Sequence, residues 1–180
     1  PKDRNHPYGH GKIEFIAAGL EGGLIFVAGV LIIGKGIFNL FLPQPLTHLS
    51  IGIFVTLFSG LINFLLGYFL EAKGNKHNSL VLIADGKHLR ADAYSSLGVL
   101  VGLLLTTWTG LSWIDNVTAI IFGAIILFTG YKLLRTALSG IMDEADENLI
   151  ESLVKILDKN KSANWIDVHN FRVIKYGAAI

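Results

Sequence analysis

The chain of 180 residues contains no cysteine, one methionine and four prolines. Without cysteine there is no disulfide framework, no thiolate metal site and no thiol nucleophile. Charge is scarce as well: Asp, Glu, Lys and Arg make up 16% of the residues, against about 25% in ordinary soluble domains. The 15 basic and 14 acidic residues nearly cancel, leaving a net charge of +1 and no basic excess to hold nucleic acid. Enzyme signatures are also missing. There is no His-Glu-x-x-His metalloprotease pattern, no Walker loop for a nucleotide-driven pump and no cysteine-histidine pair. A haem bundle would need facing axial histidines within the apolar runs, and only His88 lies inside one. The first residue is Pro1, with no basic-then-apolar leader before the first apolar run, so the opening residues are expected to be the interior of a longer protein.

Apolar residues are what the chain has in excess, at 52% of the total with a mean hydropathy of +0.54. They gather in four stretches, residues 13–33, 51–70, a region within 79–109, and 111–131. Each is near the roughly 20 residues that a helix needs to cross a bilayer core. Pro43 and Pro45 break the chain after the first, the polar run 71–78 after the second, and Thr109, Gly110 and Ser112 after the third. The pattern predicts an all-α transmembrane bundle over residues 13–142, with helices at about 13–38, 47–71, 79–108 and 112–138. Residues 1–12 precede it as a loop.

Short loops rich in Lys and Arg stay in the cytoplasm. Lys2, Arg4 and Lys12 precede the first span, Lys73 and Lys76 separate the second from the third, and Lys132 and Arg135 follow the fourth. The other two connections, 42–50 and 109–113, contain neither residue. Both chain ends are therefore expected to be cytoplasmic. Small residues cluster early in the first span, at Ala17, Ala18, Gly19, Gly22 and Gly23, and Gly98 and Gly102 are four apart in the third. Such spacing lets helices approach closely, and packing within the bundle is favoured over a dimer seam.

After Met142 the pattern changes. Residues 143–160 are acidic and amphipathic, with Leu149, Ile150, Leu153, Val154 and Leu157 at helical spacing. Residues 165–176 then alternate as a strand does, through Ile166, Val168, Phe171, Val173 and Ile174. One helix and one strand cannot bury a core, so residues 143–180 are expected to be the start of a cytoplasmic α+β domain.

Asp85, Lys87, His88, Arg90 and Asp92 place five ionisable residues in eight positions of the third span. Each costs about 2.5–3.5 kcal/mol at the bilayer centre. At about 100° per residue, Asp85, His88 and Asp92 share an arc of roughly 60°, while Lys87 and Arg90 point elsewhere and can snorkel or find partners. A water-filled, metal-binding cavity would justify two carboxylates and an imidazole on one face. The bland alternative shortens the span to 93–109 and leaves 85–92 in water, which strands the apolar run 80–84. His88 and Asp92 are four apart, which aims both at one ion and leaves two positions of a tetrahedral site for another helix. Glu14, Glu21 and Asn63 are the polar residues of the first two spans, with cavity lining and polar packing about equally matched for Glu21 and Asn63. Before the first span, Asp3, His6 and His10 offer one carboxylate and two imidazoles around Pro7 and Gly9, residues that break helix and let a short loop wrap an ion.

Together these segments resemble the cation diffusion facilitator family of divalent-metal transporters. The carrying residues are His6 to Glu14, Asn78-Ser79, Ala84-Asp85 with His88 to Asp92 and Ser95-Ser96, Trp113-Ile-Asp115, and Val168 to Arg172. The resemblance covers almost the whole chain in order. It implies that the chain holds the third to sixth helices of a six-helix fold and the start of a metallochaperone-like α+β domain. It also implies a tetrahedral transport site to which His88 and Asp92 give half the ligands, with Asp85 beside them. A second metal site at Asp3, His6 and His10 follows from the same likeness, as does a role for His169 in the C-terminal domain. The implied activity is export of zinc, or of cadmium, iron, cobalt or manganese, in exchange for protons, by alternating access in a homodimer in the bacterial plasma membrane. Ligands must lose protons to bind metal, so metal and protons compete for one site, and imidazole titrates near neutrality. A non-transporting metal sensor or membrane scaffold is the alternative. Two positions depart from the family pattern: Gly86 stands where a stronger helix former is expected, and Lys12 meets Ser139 rather than an acid, with Asp143 the nearest substitute.

Overall fold

The structure, a computed structural model, describes residues 10–42, 50–111, 113–162, 164–165 and 169–173. Four long helices follow one another, α1 (Lys12–Phe41), α2 (Ser50–His77), α3 (Leu80–Thr109) and α4 (Trp113–Ile141), and a short α5 (Glu147–Lys159) comes after them. At 1.5 Å per residue a 30-residue helix such as α1 or α3 is about 45 Å long. That exceeds the roughly 30 Å hydrocarbon core, so each helix crosses a bilayer with a turn or more to spare at its ends.

The apolar runs form helices because a bilayer offers no partner for an open backbone, and an α-helix satisfies its own N–H and C=O groups. The ends follow local chemistry. Helix α3 stops at Gly110, whose φ of +71° is a left-handed conformation natural to glycine, and its N–H donates to the Thr106 carbonyl at 2.8 Å. Asn78 turns α2 into α3 with a φ of +52°, tolerated by asparagine, and the Ser79 N–H donates to the Gly74 carbonyl at 2.9 Å. The polar run 71–78, which reads as the end of the second span, is helical to His77: α2 carries its charged last turns beyond its apolar part.

Helix α1 packs chiefly on α4, α2 on α3, and α3 also meets α4 and α1. Glycine sets these approaches. A Cβ on Gly29 would stand 2.6 Å from the Leu127 nitrogen, and one on Gly130 would stand 2.5 Å from the Phe26 nitrogen, so α1 and α4 touch backbone to backbone. Gly86 answers the helix-former question in the same way. A Cβ there would lie 2.7 Å from both the Gly67 oxygen and the Glu71 nitrogen of α2. The residue is weak in helix propensity but permits the α2–α3 contact. Between these helices Ala18, Ala84, Ala137, Ile25, Ile126 and Leu133 are buried.

The large apolar side chains mostly point outward instead. Phe54 is 73% exposed, Leu20 69% and Trp108 86%. A soluble protein would not present such a surface, and hydrocarbon is the solvent it fits. Four helices of bilayer length and apolarity make this a multi-pass membrane protein.

Helix α5 is capped by Asp146, whose carboxylate accepts from the Leu149 N–H at 3.1 Å. Its apolar residues Leu149, Ile150, Leu153 and Leu157 are half-buried, while Val154, expected on the same face, is exposed. Half of the strand read over 165–176 lies outside the described residues. Residues 165 and 169–173 form none, and the α+β domain remains an expectation.

Gly29→Ala is expected to destabilise the bundle by about 1–3 kcal/mol, the usual cost of overpacking, whereas Gly23→Ala, which meets nothing within 4 Å, should leave it unchanged. Unfolding of the full-length protein in a denaturing detergent titration measures both.

Candidate metal centre

Leu80 to Ala84 begin α3 as an apolar turn, and the ionisable residues follow at once. His88 and Asp92 lie about 12 and 18 Å along the helix, within its membrane-crossing part. Helical spacing brings the two side chains together, with His88 Nε2 3.7 Å from Asp92 Oδ2. That separation is too long for a hydrogen bond. It is close to the spread of about 3.3 Å between two ligands of a tetrahedral ion with bonds near 2.05 Å.

The other imidazole nitrogen faces α1. His88 Nδ1 is 3.0 Å from Glu21 Oε2, yet it is buried and not aligned for a hydrogen bond. The imidazole is thus bracketed by two carboxylates from two helices, and a small rotation would let Nδ1–H donate to Glu21. A carboxylate behind a ligating histidine fixes its tautomer and leaves the opposite nitrogen for metal. Asp85, half-buried one turn earlier, forms no ion pair among the described residues. Nor do the described residues hold a group of three or more His, Cys, Asp or Glu spaced for one ion. As it stands the arrangement places one imidazole between two carboxylates, one on its own helix and one on α1.

The remaining charges of α3 are handled separately. The Arg90 guanidinium donates from Nη1 to Glu71 of α2 and from Nη2 to the Tyr94 hydroxyl at 2.6 Å. Arg90 also stacks 5.6 Å from the Tyr94 ring centre. An unpaired guanidinium at this depth would be costly, and Glu71 gives it a counter-charge. No pairing of Arg90 with Glu71 is evident in the sequence.

At the end of the bundle where α1 and α3 begin, Lys12 Nζ lies 2.8 Å from Asp143 Oδ2. Asp143 therefore takes the place of the acid that Ser139 does not supply. Asp143 has a φ of +55°, and one residue later Glu144 accepts two hydrogen bonds from Arg135, at 2.5 and 2.6 Å. These pairs fix the exit from α4 toward α5. Of the residues expected to form the loop site, Asp3 and His6 lie outside the described residues, and His10 is exposed at the start of α1. His169 is exposed as well. Asn63 is half-buried in α2.

A bundle of bilayer-length helices with a histidine between two carboxylates at membrane depth, Asp92 exposed on the α3 surface, has the build of an ion-conducting or ion-transporting membrane protein. Residues 1–142 match the family profile described as the cation efflux transmembrane domain, and the chain belongs to that family. It is 37% identical over 145 residues to an uncharacterised transporter of Synechocystis, covering 81% of this chain and 47% of that protein. The manganese efflux system protein MneP of Bacillus subtilis is 26% identical over 174 residues, 93% of this chain and 58% of its own length. The cation-efflux pump FieF of Yersinia enterocolitica is 30% identical over 145 residues, 81% and 48% respectively. The chain spans about half the length of the curated relatives it matches.

The two hydrogen bonds from Arg135 hold the Glu144 carboxyl below its ordinary value of 4.5. A depressed folded-state value means that the pair stabilises the α4–α5 junction at pH above 4.5, and that this contribution is lost as pH falls through the lower folded-state value. Carbon NMR of the labelled side chain is expected to show Glu144 titrating below 4.5, and Arg135→Gln should return it to the ordinary range.

Proposed function

We propose that this protein exports divalent metal cations, zinc foremost, from the cytoplasm in exchange for protons. It works as a homodimer in the bacterial plasma membrane with both ends of this chain cytoplasmic. The observation that carries the reading is the placement of His88 Nε2 and Asp92 Oδ2 3.7 Å apart on one helix face in a member of the cation efflux family. The metal is the substrate. His88 and Asp92 take two of its coordination positions, Asp85 stands one turn before them, and further ligands come from another helix. Glu21 orients His88 by accepting from Nδ1.

Ligand chemistry supports zinc or cadmium over manganese, because imidazole suits the softer ions, while iron and cobalt accept the same mixed set. The relative named for manganese efflux marks the range of cargo across the family. Antiport follows from competition. His88 and Asp92 bind metal only when deprotonated, so each ion that enters releases protons, and protons arriving from the other side displace the ion. Asp3, His6 and His10, with His169 in the C-terminal segment, form the cytoplasmic sites through which metal biases the conformation. The Lys12–Asp143 pair, where α1 meets the exit from α4, is the interlock at the dimer seam.

The test is zinc uptake by proteoliposomes holding the full-length protein, with an internal pH reporter. Zinc-driven proton counterflow is expected in the parent protein, with none in His88→Ala or Asp92→Ala. Glu21→Leu should weaken zinc binding about 10–100-fold, the usual cost of losing a partner behind a ligand, and Glu21→Gln less. Normal flux in His88→Ala would refute the site. Zinc binding without any flux, unchanged by either substitution, would make the protein a metal sensor.

A further inference from the structure

The side of α3 that carries Lys87, Arg90 and Tyr94 opens into a groove of about 310 Å³ between α2 and α4. Its polar lining includes Lys87 and Arg90 of α3, Lys132 of α4 and a single acid, Glu71 of α2. Glu71 is engaged by Arg90, which leaves two lysines uncompensated among the residues that line the groove. Lys132 Nζ is held 4.6 Å from the Phe128 ring centre, on the groove wall. Arg90 Nε is buried and has no hydrogen-bond partner among the described residues.

Depth identifies the kind of occupant. Lys87 lies about 10 Å from the start of α3, and Lys132 about 13 Å from the end of α4. Both ends belong to the same side of the bundle. Lys87 reaches back toward the start of α3, as helical side chains do, and Lys132 directly follows the apolar run 111–131 and folds back over Phe128, so the two ammonium groups sit at the boundary between acyl chains and headgroups. The walls contributed by Ile125 and Phe128 are apolar. We propose that this groove binds an anionic phospholipid, with its phosphate between Lys87 and Lys132 and its acyl chains along Ile125 and Phe128. A basic pocket between helices at this depth is the arrangement that selects anionic headgroups. The site is on the side of α3 away from His88 and Asp92 and does not depend on the ion carried.

Native mass spectrometry of the full-length protein, titrated with phosphatidylglycerol or phosphatidylcholine, tests the assignment. Phosphatidylglycerol is expected to bind more tightly, and Lys87→Gln with Lys132→Gln should weaken it about fivefold per lysine and about twenty-five-fold together, at about 1 kcal/mol per lysine. Phosphatidylcholine binding should not change in that variant. Lys73→Gln with Lys76→Gln, which alters α2 lysines outside the groove, should leave phosphatidylglycerol binding unchanged. Equal affinity for the two lipids in the parent protein, or an equal loss in both double variants, would overturn the proposal. Inorganic phosphate binding as tightly as phosphatidylglycerol, and lost in the same variant, would overturn it too by making the groove a free-anion pocket.

Discussion

An ionisable side chain at the centre of a bilayer costs about 2.5–3.5 kcal/mol on insertion scales, and α3 carries five between Asp85 and Asp92. The helix meets this constraint by sorting its charges around its circumference. Arg90 turns to α2, where Glu71 receives it, and also donates to the Tyr94 hydroxyl one turn along α3. His88 turns toward α1 and Glu21, with Asp92 one turn along on the same helix. The first group is paired across two helices, so it anchors α2 to α3. The second holds an imidazole between two carboxylates, and its buried Nδ1 has no aligned hydrogen-bond partner among the described residues.

The sorting needs helices close enough for short acidic side chains to reach across. Glycine supplies that closeness. Gly86 against Gly67 brings α2 onto α3, and Gly29 with Gly130 brings α1 onto α4. With no water to drive helices together inside a bilayer, contact of this kind and the polar pairs it permits hold the bundle. A larger residue at Gly86 would separate α3 from α2 and with it Arg90 from Glu71. The same glycine therefore serves packing and charge compensation, which explains a poor helix former in the second turn of a transmembrane helix.

The four-helix architecture was legible because a bilayer imposes a length and an apolarity that composition alone reveals. The closeness of His88 to Asp92 was legible too, since helical periodicity relates residues four apart. What the sequence did not disclose were relations between helices. Glu21 stood as an acid with two equally good explanations, and only the α1–α3 contact decides that it faces His88. Arg90 and Glu71 belong to different helices, and no periodicity links them. Gly86 looked like a defect because propensity is a property of one helix while its reason lies in the next. Asp143 was named as a substitute partner for Lys12, and the left-handed turn after α4 delivers it. Val154 went the other way. Amphipathic spacing put it on one face with Leu149, Ile150 and Leu153, yet it is exposed on α5.

The central claim is that metal sits on the α3 face between His88 and Asp92. The most direct measurement is anomalous diffraction at the zinc edge from crystals of the full-length protein grown with zinc. The account predicts an anomalous peak within bonding distance of His88 Nε2 and an Asp92 carboxylate oxygen, with Glu21 at Nδ1 and off the metal. Zinc density confined to the surroundings of Asp3, His6, His10 and His169, with none on α3, would contradict it.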